Sequence, residues 1–115
     1  MNHHKATRKF GRERKVRNAL LKSLALSLVL EGKIKTTDAK ARELRPYVEK
    51  MVTSGRTNTV ATKRLLVSKI GLSGANKLVK DISPKYMDRK GGYTRITKLP
   101  ARKSDGSLMA VIEFI

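Results

Sequence analysis

The sequence predicts an α+β fold in two layers, with helices packed on a small mixed sheet and a basic arm in front. Three observations carry that prediction. Four stretches between residues 13 and 82 repeat apolar residues at helical spacing. Three short stretches, KIKTT, YTRITKL and SLMAVIEFI, are rich in β-branched or apolar residues and bounded by turn residues. One of these follows the first helix and two close the chain, so the order is helix, strand, three helices, two strands. A length of 115 residues suits one domain with a modest core.

Residues 1–12 are predicted to form an extended basic arm, and 13–115 a single globular domain. The first eighteen residues, MNHHKATRKFGRERKVRN, hold seven Lys or Arg against Glu13, so 7 − 1 gives +6, and only Phe10 and Val16 are large and apolar. Such a segment has too little apolar surface to pack by itself. A helix over 13–31 follows, with Val16, Leu20, Leu24 and Leu28 at four-residue spacing and Gly32 as its stop. Leu21, Leu26 and Leu30 widen the apolar face, which predicts cover on more than one side. LLKSLALSLVL after a basic lead resembles a secretory signal in outline. Lys22 interrupts it, no small-residue cleavage site follows, and it is too short to span a bilayer.

KIKTT, 33–37, reads as a strand, and Thr37 or Asp38 can cap the next helix. Leu44, Tyr47, Val48, Met51 and Val52 lie along one face of that helix. Pro46 predicts a kink or a late start, and Ser54 and Gly55 close it. Asn58 is the expected cap of a third helix carrying Val60, Leu65, Leu66, Val67 and Ile70, with Gly71 past its end. Ser73 opens a fourth, with Ala75, Leu78, Val79 and Ile82 before Pro84. The two final strands flank an Asp105-Gly106 turn. The last is almost continuously apolar and should be central or buried on both faces.

Charge points to the partner. Twenty-seven Lys and Arg against nine Asp and Glu give 27 − 9 = +18, and the pI is near 10.8. That balance favours a polyanion. Hydrophobic residues make up 39%, enough for a core. With no cysteine, disulfides, thiolate metal sites and cysteine nucleophiles are excluded. His3 and His4 are the only histidines, and no Ser, His and acid set is suggested, so no catalytic residues are assigned. GLSGANK, 71–77, lacks the spacing of a phosphate-binding loop and reads as two helix boundaries. His3 with a free amino terminus could hold copper or nickel, but an arm histidine is the better reading, so no metal and no cofactor are expected.

The charge gathers in two blocks: the first eighteen residues, and 83–103, SPKYMDRKGGYTRITKLPARK, with seven basic residues minus Asp88 for +6. Arg offers phosphate a planar fork, Lys a mobile point charge, and a glycine pair lets backbone amides come close. The candidate nucleic-acid-binding residues are His3, Lys5, Arg8, Lys9, Arg12, Arg14 and Arg17 in the first block. In the second they are Lys85, Tyr86, Arg89, Lys90, Gly91, Gly92, Tyr93, Arg95, Lys98, Arg102 and Lys103. Tyr86 and Tyr93 suit either base stacking or the core. A DNA-binding architectural protein is the alternative and would need a dimer with a groove-entering arm or helix.

GGYTRI at 91–96, preceded by PKYMDRK and followed by a lysine and a DG turn, resembles the seventeenth protein family of the bacterial large ribosomal subunit. HHKATRKFGR at the start and IKTTDAKARELR in between extend the resemblance over essentially the whole chain. Asn2 stands where that family usually has Arg, Val16 where a polar residue is usual, and SDGSLMA where Gly-Asp-x-Ala-Pro-Met-Ala is common. The resemblance implies the fold read above and binding to large-subunit ribosomal RNA near the peptide tunnel exit, beside neighbouring large-subunit proteins. It implies support of subunit assembly in the cytoplasm, with no membrane and no small-molecule substrate. Composition alone supplies none of that location.

Overall fold

The computed structural model describes residues 14–57 and 59–115; the predicted arm and Asn58 lie outside the described residues. The first helix, α1 (Arg14–Glu31), stops where expected: Gly32 has φ 86°, and its amide donates to the Leu28 carbonyl at 2.8 Å. Its buried stripe is Leu21, Ala25, Leu28 and Val29, not the row from Val16 to Leu28, and Val16 and Leu30 are exposed. A strict four-residue repeat drifts by about 40° per step on a 3.6-residue helix, so that row winds around the axis away from the contact. Mixing steps of three and four keeps the stripe straight.

Strand β1 (Lys33–Thr37) runs directly into α2 (Asp38–Gly55), with the Thr37 hydroxyl accepting from the Lys40 amide at 3.3 Å. Pro46 lies within α2 and does not delay its start. The cap and the buried face of Leu44, Val48, Met51 and Val52 hold the helix across the missing backbone donor. Helix α3 (Val60–Ile70) is capped by Thr59, whose hydroxyl accepts from the Thr62 amide at 3.2 Å, one residue after the predicted cap. Helix α4 (Leu72–Lys77) begins one residue before Ser73, because Gly71, φ 92°, ends α3 by donating to Val67 and starts α4 by accepting from Ala75. The path continues through a π turn, Leu78–Ile82, into a 3₁₀ turn, Ser83–Tyr86, so Pro84 tightens the helical path rather than ending it.

The remaining strands are β2 (Thr94–Leu99) and β3 (Met109–Phe114). The strand order is β1-β3-β2, which makes the last strand central, as its apolar run predicted. Both pairings are antiparallel, so the sheet is not mixed. β1 and β2 do run in the same direction, but β3 separates them. One sheet face, with Ile34, Thr36, Thr94, Ile96, Ala110 and Ile112 in register, meets the helices, and α2 packs against all three strands. Residues of this face join Leu28, Leu44, Val48, Leu66, Ile70 and Leu78 in one core.

Candidate nucleic-acid interface

The opposite sheet face follows from the register. Its rows are Lys33–Glu113–Arg95, Lys35–Val111–Thr97 and Thr37–Met109–Leu99. Lys33, Lys35, Arg95 and Thr97 are exposed. Arg95 is held by Glu113 across the strands, Nη2 to Oε1 at 2.8 Å and Nε to the same oxygen at 3.2 Å. Sequence reasoning singled out Arg95 and missed Lys33 and Lys35. The signal was present in KIKTT, where period-two alternation places both lysines opposite the core-facing Ile34 and Thr36.

At one end of β2 lies the turn 87–92. Arg89 and Lys90 on it are exposed, as is Lys85 just before it. The tyrosines bounding it are core residues, which corrects the base-stacking option: Tyr93 is 0% exposed and Tyr86 6%, their rings tilted at 50° with centroids 5.1 Å apart. Their hydroxyls are spent inside. Tyr86 donates to the Ile115 carbonyl at 2.6 Å, and Tyr93 donates to the Arg89 carbonyl at 3.1 Å while sharing a 2.9 Å bond with Thr53 Oγ1. Burial pushes the Tyr86 phenol above its usual range, partly opposed by Arg89.

Glu49 of α2 fixes the strand start, accepting from Thr94 Oγ1 at 2.8 Å and the Thr94 amide at 3.3 Å. Gly92 has φ 66°, the left-handed conformation that favours glycine, whereas Gly91 has no positive φ. Neither glycine's Cβ position meets an atom within 4 Å, and no described residue engages either backbone amide.

At the other end of β2, the loop 100–108 closes on itself. Arg102 grips Asp105 with two bonds, Nε to Oδ1 at 3.0 Å and Nη2 to Oδ2 at 2.8 Å. The Ser107 amide donates to Asp105 Oδ1 at 3.0 Å, and the Arg102 amide donates to the Ser107 carbonyl at 2.8 Å. The Arg102 guanidinium first, and then the Ser107 amide, hold the Asp105 carboxyl well below the usual carboxylate range. Lys98 and Lys103 are exposed, and Lys103 borders a hollow of about 540 Å³ with Lys35, Leu99, Pro100 and Met109.

The predicted residues therefore separate. Arg17 turns inward, its side chain 16% exposed and its guanidinium 3.9 Å from Glu43, while Arg14 is exposed. Arg17, Arg95 and Arg102 each have an acidic partner; Lys85, Arg89, Lys90, Lys98 and Lys103 have none among the described residues. His3, Lys5, Arg8, Lys9 and Arg12 lie outside the described residues. The described residues contain no group of three potential metal ligands, and no described helix is long and apolar enough to cross a membrane.

This is the build of a small basic α+β protein with exposed cations on its open sheet face and in the loops at both ends of β2. Residues 20–115 match the family model of ribosomal protein L17. The chain is 47% identical to large ribosomal subunit protein bL17 of Gemmatimonas aurantiaca, across all of this chain and 98% of that relative. The bL17 proteins of Sulfurimonas denitrificans and Campylobacter jejuni are 45% and 47% identical, across all of this chain and 100% and 99% of theirs. The chain belongs to the ribosomal protein L17 family and is accordingly a structural ribosomal component, not an enzyme.

Proposed function

We propose that this chain is a constituent of the large ribosomal subunit that binds large-subunit ribosomal RNA near the peptide tunnel exit and supports subunit assembly in the cytoplasm. The observation that carries the RNA reading is a set of exposed lysines without acidic partners among the described residues. Lys33 and Lys35 lie on the open sheet face, and Lys90 and Lys103 in the loops at its two ends. Neutralising phosphates with such cations releases condensed counterions, which makes binding steeply salt-dependent. The names of the bL17 relatives support the large-subunit assignment. The tunnel-exit location rests on the family resemblance, and neighbouring large-subunit proteins there are the expected contacts.

The test compares structured large-subunit RNA with duplex DNA at matched salt. With about six to ten phosphates engaged, RNA affinity should fall about a thousandfold or more between 50 and 200 mM salt. A flat profile would overturn the electrostatic account, and equal affinity for duplex DNA would favour an architectural DNA-binding role. Retention on the large subunit through a salt wash checks the assembly, and cross-links from the bound chain check its position beside the tunnel exit.

A further inference from the structure

We infer that Arg56 is a positioning residue for RNA binding, fixing the basic turn 87–92 through main-chain carbonyls so that Arg89 and Lys90 are presented preorganised. The inference rests on the reading that this turn meets RNA. Arg56 follows α2 directly, its backbone still helical at φ −69° and ψ −25° and its amide donating to the Thr53 carbonyl. From there Nη1 donates to the Tyr86 carbonyl at 3.2 Å and also to the Arg89 carbonyl. These two carbonyls bracket the first half of the turn. The Tyr86 carbonyl also takes the Arg89 amide at 3.0 Å, and the Arg89 carbonyl also takes the Tyr93 hydroxyl, itself bonded to Thr53 of α2.

Apart from these tethers, the turn's own closures are the Arg89 amide bond and a 3.3 Å bond from Arg89 Nη1 to the Gly92 carbonyl. Arg56 has no acidic partner among the described residues, so its charge is directed at backbone carbonyls. A turn held this way meets its ligand without first losing conformational freedom, and releasing it transfers that cost to binding.

The experiment measures RNA affinity of Arg56→Gln, alone and combined with Lys90→Gln, at a temperature where circular dichroism shows each variant folded. Amide hydrogen exchange is followed on the same samples. The expected result is an affinity loss of about tenfold or more, faster exchange of the Arg89 amide, the hydrogen-bonded amide of the turn, and a Lys90→Gln effect smaller in the Arg56→Gln background than in the wild type. Wild-type affinity in folded Arg56→Gln would overturn the inference. So would full additivity with Lys90→Gln, the mark of an independent phosphate contact. Should Arg56→Gln fail to fold, Thr53→Val removes the anchor of the Tyr93 hydroxyl and should give the same exchange pattern with a smaller affinity loss; unchanged exchange and affinity would count against the tether. Loss of RNA binding by the wild type itself would end the function reading, whereas intact wild-type binding with an unaffected variant ends only the role of Arg56.

Discussion

The turn 87–92 and the loop 100–108 sit at opposite ends of β2, and both are basic, but they are held by different means. The first hangs from the helical layer: Arg56 and Tyr93 reach its carbonyls from outside, Thr53 braces the Tyr93 hydroxyl, and Lys90 remains without an acidic partner among the described residues. The second is closed by its own side chains, with Arg102 bound to Asp105 three residues away. Equal numbers of basic residues therefore do not mean equal available charge. A cation restrained by an internal acid releases fewer counterions than one that is free.

The largest effect should separate the two by stability. Tyr93→Ala removes a fully buried ring beneath the tethered turn and should cost about 3–5 kcal/mol in denaturant unfolding. Asp105→Ala, on an exposed loop, should leave the midpoint nearly unchanged. A comparable loss in both would mean that loop 100–108 is integral to the core.

Next comes charge. Lys90→Gln should lower the slope of log affinity against log salt by about one, and Arg102→Gln by clearly less. Asp105→Asn should strengthen RNA binding by releasing Arg102. Equal slopes for the two cation variants would show that Arg102 leaves Asp105 for phosphate in the complex.

The glycine pair sharpens the backbone side of the contrast. Gly92→Val forces a branched residue into φ 66° and should cost about 1–2 kcal/mol in thermal unfolding. Gly91→Val, with open space and no positive φ, should change stability by less than about 0.5 kcal/mol. If folded Gly92→Val bound RNA with wild-type affinity, the pair would serve the turn alone and not amide contact.

The smallest effect is one of pH. Asp105 has a folded pKa below its ordinary 3.8, so its contribution to stability is complete above that value. It is lost only as pH falls through the lower folded value. A carboxyl titration by NMR should place the Asp105 midpoint below 3.8; a midpoint at or above it would show the ion pair to be absent in solution.

Much of this architecture was legible because its signals are local. Thr37 caps α2, Gly32 and Gly71 end helices, and the apolar run of 109–114 marks a central strand. The pairing of cations was not legible, since Arg17 finds Glu43 and Arg95 finds Glu113 only through tertiary packing and strand register. Arg102 and Asp105 are close enough in sequence that the loop pair was within reach of inspection. The tyrosines were ambiguous because an amphipathic ring suits a core and an RNA surface equally until its neighbours are known.

The central place of β3 also bears on how the chain is made. β1 and β2 do not pair with each other, so neither completes its ladder until residues 109–114 have been synthesised. Until then KIKTT and TRITKL present open edges, the kind of segment that pairs with other nascent chains. Lys33 and Lys35 on one, and Arg95 and Lys98 on the other, set like charges against such pairing. The cations of the finished surface thus guard its unfinished strands against aggregation.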